Sequence, residues 1–252
     1  MPDSASRLFQ IIEYLAKSKD WVSLRIMARD LHISATMVYR TLNGLKEIGY
    51  VRQHPEDSKY QLTLKIAWIS AQVLENIQLR AVAHPVMDEL ASTTNETTHL
   101  AVLQDKEFVY IDKVDYSQSI RMRSRIGQRG KLFCTAVGKA ILAFLPQDEL
   151  ERVLSLLNFE SITTNTITDL TKFREHLCRV REQGYAVDDE ENEVGIRCLG
   201  APIFDHMGVP AGAMSISGWT ISMTPERVSK LAPELISACL KISRDLGYNG
   251  SV

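Results

Sequence analysis

Residues 22–63 read VSLRIMARDLHISATMVYRTLNGLKEIGYVRQHPEDSKYQLT: a helix, a tight turn, a second helix and a hairpin in succession. Ser23 stands where an N-cap is needed. Leu24, Met27, Ala28 and Leu31 then recur at i, i+3, i+4 and i+7, which stacks them on one face of a short helix. After His32-Ile33, Ser34 caps a second helix expected to run to Ile48 and to stop at Gly49. Along it Val38, Leu42, Leu45 and Ile48 form an apolar stripe, while Thr36, Tyr39, Arg40 and Asn43 share the opposite side. One face packs, and the other offers the hydroxyl, guanidinium and amide groups that read base edges and phosphates in a major groove. Tyr50-Val51-Arg52 and Tyr60-Gln61-Leu62 flank the turn 54–58 as strands of a hairpin, the wing. The spacing therefore predicts a winged helix-turn-helix whose DNA contacts are Ser34, Thr36, Tyr39, Arg40 and Asn43 on the helix. Arg52 and Lys59 on the wing are expected to meet phosphates.

Charge supports that reading. The chain carries 29 Lys and Arg against 31 Asp and Glu, a formal net −2. Residues 1–65 hold ten basic and seven acidic side chains, a net +3, leaving a net −5 for the remainder. A basic head on an acidic body suits a module that meets phosphate while its neighbour does other work. The excess is small, so useful affinity calls for two copies on a near-palindromic duplex site, as a homodimer or tetramer.

At 252 residues the chain has room for two domains, and its 45% hydrophobic content supports real cores. No run reaches the ~18–20 apolar residues of a membrane span. Met1-Pro2-Asp3-Ser4 lacks a basic-then-apolar leader pattern. Cys134, Cys178, Cys198 and Cys239 show no paired spacing, as in reduced cytoplasmic thiols. A cytoplasmic protein is expected.

Outward from the head, residues 6–17 place Leu8, Ile11, Ile12 and Leu15 on one face and complete a three-helix core. Residues 64–77 (LKIAWISAQVLENI) put Ile66, Ala67, Ile69, Ser70, Val73, Leu74 and Ile77 over much of a connector helix, a surface suited to pairing with a second copy. The expected partition is 1–65 winged helix-turn-helix, 66–80 linker and dimerisation helix, and 81–252 effector domain. From Thr97 the pattern changes. THLAVLQ, EFVYIDKV, SIRMRS, RCLGAPIFD and PAGAMSISG read as strands. Residues 80–93, 135–145, 147–157, 169–183 and 225–246 read as helices, giving an α+β domain.

Three places there attract chemistry. In residues 123–140, RSRIGQRGKLFCTAVGKA, a loop loosened by Gly127 and Gly130 runs into a helix capped by Thr135. Its N–H groups and dipole would seat a carboxylate, with Arg123, Arg125, Arg129 and Lys131 nearby. In residues 188–198, DDEENEVGIRC, five carboxylates in six residues read first as a solvated loop and match no calcium loop. Ser215 and Ser217, two apart on a strand, share one face with Ala211 and Ala213. Enzyme signatures are missing: no G-x-S-x-G elbow, no Walker loop, no G-x-G-x-x-G, no H-E-x-x-H. No catalytic residue, cofactor or metal is expected. The six histidines are isolated, and only His99 stands out as a pocket candidate.

Four blocks in order, ISATMVYRTLNGLKEIGYV, GQRGKLFCTAVGKAILA, GYAVDDEENEVGIRCLGAPIFD and MSISG, resemble the IclR family of bacterial transcription regulators over nearly the whole chain. The run YIDKV…IRMRSRIGQRGKLFCTAVGKA is similar to the branch responding to 2-keto-3-deoxygluconate and related sugar acids. The resemblance implies a winged helix, a dimerising linker helix and a GAF-like effector domain that binds a small organic acid. It also implies a pocket lined by Met122, Gly130, Ala136, Val137, Asp188, Ile196, Cys198, Ser215 and Ser217. Phe133 stands where the family's loop usually has a proline, and Ala35 and Met37 replace common polar residues on the recognition helix. The reading is a DNA-binding regulator, a repressor, controlled by a sugar acid or keto acid. Two others stay open at this stage: an enzyme with an appended DNA-binding head, and a winged-helix protein-interaction module.

Overall fold

The computed structural model describes residues 4–75, 78–116 and 123–250, and the chain divides into two compact units, Met1–Asn76 and Ile77–Val252. In the first, α1 (Ser4–Lys17), α2 (Leu24–Asp30) and α3 (Ala35–Glu47) are followed by β1 (Val51–Gln53), β2 (Tyr60–Leu62) and α4 (Lys65–Glu75). Ser23 and Ser34 cap α2 and α3, their hydroxyls accepting from the N–H groups of Ile26 and Met37. Each such cap is worth about 0.5–2 kcal/mol. Ile11, Met27, Val38, Leu42 and Leu45 from the three helices meet Val51 and Tyr60 of the hairpin in one core. Each side chain so buried contributes about 1.5–3 kcal/mol. The predicted stripe fails at one end. Ile48 is the C-cap of α3 and 55% exposed, because the chain turns away at Gly49 (φ +79°) before the fourth apolar position is covered.

The second unit opens with α5 (Gln78–Thr94) and continues through β3 (Thr97–Gln104), β4 (Glu107–Val114), β5 (Arg129–Lys131), α6 (Ala136–Phe144), α7 (Gln147–Leu156) and α8 (Leu170–Gln183). It closes with β6 (Ala186–Asp189), β7 (Ile196–Phe204), β8 (Pro210–Trp219) and α9 (Pro225–Asp245). The six strands form one antiparallel sheet in the order β5-β4-β3-β8-β7-β6. Register sets Leu100, Met214 and Leu199 on one face, packed by α5 and α9, and His99, Ser215 and Gly200 on the other, packed by α6. Around α6 the core gathers Phe108, Leu132, Ile141, Leu142, Phe173 and Leu177.

The α+β reading holds, with differences. Two short strands are absent from the sequence reading. Arg129–Lys131 pairs with β4 instead of hanging free between glycines, and Ala186–Asp189 pairs with β7, which draws the start of the acidic stretch into the sheet. Both are short edge strands whose signal is the neighbour they bond to. The strand expected over SIRMRS falls largely on 117–122, outside the described residues, and Arg123 and Ser124 are not strand. Asn76, Ile77 and Met122 also lie outside them, as do the side chains of Ser70, Val73 and Leu74.

Candidate functional site

On the first unit, Thr36, Tyr39 and Arg40 stand exposed along α3, with Asn43 half-buried beside them. Tyr39 is 52% exposed, large for an aromatic side chain that no core needs. Arg40 has no ion pair or hydrogen bond to a described residue, so its guanidinium is available to an acceptor outside the chain. Ser34 is already the cap of α3, so its hydroxyl serves the helix whatever else it meets.

The two wing cations are not free. Arg52 donates to Gln61 Oε1 at 2.8 Å and lies 5.0 Å from the centroid of the Trp21 ring. Lys59 pairs with Asp57 at 2.7 Å, and that bond holds the Asp57 carboxyl below its usual range. Exposed pairs of this kind are worth only about 0–1 kcal/mol, so a phosphate can compete for either cation. Trp21 went unnoticed in the sequence, where nothing local links it to Arg52. Along α4, Trp68 (62% exposed) and Ile69 (38%) remain uncovered, as does Leu64 just before the helix.

On the second unit, a cavity of about 310 Å³ opens on the α6 face of the sheet. Its floor is His99, Tyr110, Cys198 and Ser217, and its walls include Phe108, Gly130, Thr135 and Ile196. Arg123, Gln128, Arg129, Lys131, Glu107 and Glu193 ring it with charge and amide. His99 is 2% exposed, with Nε2 2.7 Å from the Ser124 hydroxyl and Nδ1 3.3 Å from that of Ser217. Burial, helped by Lys113, pushes its pKa down to about 3, so the ring is neutral and donates from one nitrogen while accepting on the other. Burial also lifts the Cys198 thiol well above its usual range, leaving an unreactive protonated group.

Of the expected pocket residues, Gly130, Ile196, Cys198 and Ser217 line this cavity; Ala136, Val137, Asp188 and Ser215 do not. The anticipated carboxylate seat at the start of α6 is covered. A Cβ on Gly200 would lie 2.6 Å from the Ala136 carbonyl carbon and 3.0 Å from the Val137 nitrogen, so strand β7 presses its bare backbone onto that helix end. Ser215 sits in register between Gly200 and His99 beneath the same helix and is 2% exposed. Arg123, Arg129 and Lys131 are among the cations the sequence places there; Tyr110, Ser124, Gln128 and Asn192 are additions that only the sheet and the loop after it bring together.

Asp188 is buried, 3% exposed, and engaged within the chain. Its Oδ1 accepts from the Glu191 N–H at 2.9 Å and the Asn192 N–H at 3.3 Å, beside a buried ion pair between Lys139 and Glu191. Lys139 also donates to the Val187 carbonyl at 2.5 Å. Burial raises the Asp188 pKa to about 7, with Lys139 pulling down and Glu191 pushing up. A carboxyl that binds its proton more tightly when folded stabilises the fold fully below its unfolded pKa, near 4, and loses that contribution as pH rises through about 7. His99 and His176, with pKa values lowered to about 3 and about 4, act in the opposite sense as pH falls. The test is therefore a difference. Across pH 4 to 7, Asp188→Asn should lose less stability, or gain more, than the natural protein in thermal unfolding of the full chain. Parallel curves would show that Asp188 titrates normally.

Two family patterns match: the IclR helix-turn-helix domain over residues 4–55, and the bacterial transcriptional regulator IclR C-terminal domain over residues 71–244. The HTH-type transcriptional regulator KdgR of Escherichia coli K12 is 38% identical over 251 residues, covering 98% of this chain and 95% of its own. The chain belongs to the IclR family. KdgR of Dickeya chrysanthemi is 37% identical over 98% of the chain and 82% of its own length. Among solved structures, the Thermotoga maritima IclR has a TM-score of 0.86 at 38% identity, covering 97% of this chain and 99% of that one. As an IclR-family member the chain is a DNA-binding transcription regulator, and its relatives are regulators, not enzymes. The exposed α3 edge belongs to the DNA-binding half, and the cavity lies in the half matched by the C-terminal pattern. No helix among the described residues is long and apolar enough to cross a membrane, and no cluster of His, Cys, Asp or Glu among them could hold a metal ion.

Proposed function

We infer that the chain is a cytoplasmic repressor whose hold on its operator is set by a small organic acid, a sugar acid or keto acid, bound in the C-terminal unit. The observation that carries this is the pairing, in one IclR-family chain, of an unobstructed Arg40 edge on α3 with a separate polar cavity rimmed by cations. The division of labour is 1–65 for DNA, 66–80 for linking and pairing, and 81–252 for the effector. The uncovered Leu64, Trp68 and Ile69 favour association of two copies. With a head of net +3, two half-sites about one helical turn apart, or a multiple of it, would supply the affinity that one head lacks. Effector binding shifts operator affinity by no more than its differential affinity for the two states of the protein.

The test combines two measurements on the full chain. Sedimentation at micromolar concentration should give a dimer or tetramer. Fluorescence anisotropy on duplexes from the DNA flanking its own gene should give a specific complex, salt-dependent and weakened by a sugar acid or short keto acid. A monomer on and off DNA, or an acid that tightens the complex, would sink the corresponding part of the reading.

A further inference from the structure

The cations around the cavity differ in what they are free to do. Arg129 is tied to Glu107 at 3.2 Å, and Lys131 is tied to Glu160. Arg123 borders the same cavity, is exposed, and has neither an ion pair nor a hydrogen bond to any described residue. The same lining carries two neutral hydroxyls: Ser217, held on the uncharged His99, and Thr135, which donates to the Lys131 carbonyl and caps Gly138, and so meets a ligand only as an acceptor. Ala136 and Val137, which begin α6, are buried with β7 packed on them at Gly200, and Thr135, the cap of that helix, borders the cavity.

We propose that Arg123 is the anion seat of this cavity, holding the carboxylate of a polyhydroxylated acid at the mouth while the hydroxyl end of the ligand descends onto Ser217, Thr135 and His99. The assignment rests on the reading that the C-terminal unit takes an organic acid, and it names where the charge goes. A guanidinium offers a carboxylate two parallel N–H bonds, a match that a lone ammonium lacks. Arg123 has no competing acid partner among the described residues, so it gives up no ion pair on binding. Glu193 borders the cavity without an ion pair to any described residue, and its charge penalises a second negative group on the ligand, which favours a monoanion. At about 310 Å³ the cavity is at the small end of ligand sites, fit for a sugar-acid chain and generous for a two- or three-carbon acid.

The experiment is calorimetric titration of the full chain with 2-keto-3-deoxygluconate, D-gluconate and sorbitol, the last being gluconate with its carboxylate reduced to a hydroxymethyl group. Arg123→Gln should weaken binding of the acids by about tenfold to a hundredfold, the loss of a hydrogen-bonded charge. Arg123→Lys should keep part of the affinity, Glu193→Gln should bind the acids as tightly or more so, and sorbitol should not bind. Arg123 is exposed, so the variants should unfold at the temperature of the natural protein. If the natural protein binds an acid and Arg123→Gln binds it equally well, the seat is elsewhere and only this assignment falls. If the natural protein binds neither acid, or binds sorbitol as tightly as gluconate, the organic-acid reading falls and takes the seat with it.

Discussion

Arg40→Ala is expected to weaken specific operator binding by about 1–3 kcal/mol, the value of a bidentate contact to a base edge. That is a loss of roughly 5- to 150-fold in Kd. The effect should be confined to specific DNA, because Arg40 is exposed on α3 and lies outside the Val38-Leu42-Leu45 stripe that holds the head together. Thermal stability should stay as it was. Lys59→Ala is the contrasting case: its ammonium, already shared with Asp57, would meet only backbone phosphate. It should cost affinity evenly across sequences and lower the salt slope by about one. Anisotropy titrations of both variants at several salt concentrations separate the two patterns. A melted head in Arg40→Ala, or an unchanged Kd, would show that this face does not read DNA.

The second large effect is on the fold of the C-terminal unit. Lys139 is fully buried and its Glu191 partner nearly so, and Glu191 Oε2 already lacks a hydrogen-bonding partner among the described residues. Lys139→Met leaves the carboxylate buried with nothing to balance it, which should cost about 3–5 kcal/mol. For a domain of this size the unfolding midpoint should fall by about 6–20 °C. Replacing both partners, Lys139→Met with Glu191→Leu, should recover most of that loss, since an apolar pair of similar volume avoids the desolvation of two charges. Differential scanning calorimetry of the full chain measures both. If the single variant melts with the natural protein, water or a neighbour already neutralises Glu191; if the double variant melts lower than the single, the pair is attractive in its own right.

The reach of sequence reasoning differs between the two units. In the head, the caps at Ser23 and Ser34, the stripe to Leu45 and the wing hairpin all emerge, because helix and hairpin are set by contacts within a few residues. Ile48 escapes, since whether the fourth apolar position is covered depends on where the chain goes after Gly49. In the second unit the long strands β3, β4, β7 and β8 and most helix limits follow from periodicity, but β5 and β6 do not. Three residues such as Arg129–Lys131 carry no period of their own and become a strand only by bonding to β4.

A DNA-binding head, the polar face of α3, an α+β remainder and the likeness to IclR regulators can all be read along the chain. Each of these is written in local periodicity, capping residues or the order of motifs. Which side chains share the cavity of the second unit follows from long-range pairing. His99 and Ser217 are 118 residues apart and meet because β3 pairs with β8. Asp188, in a stretch acidic enough to pass for a solvated loop, is drawn under cover by pairing with β7 and by Lys139 beneath it. Ala136 and Val137 at the start of α6 are buried because Gly200, remote in sequence, lets a strand lie against them. Burial and anion access are properties of what lies across the gap, and a linear pattern does not encode what lies across the gap.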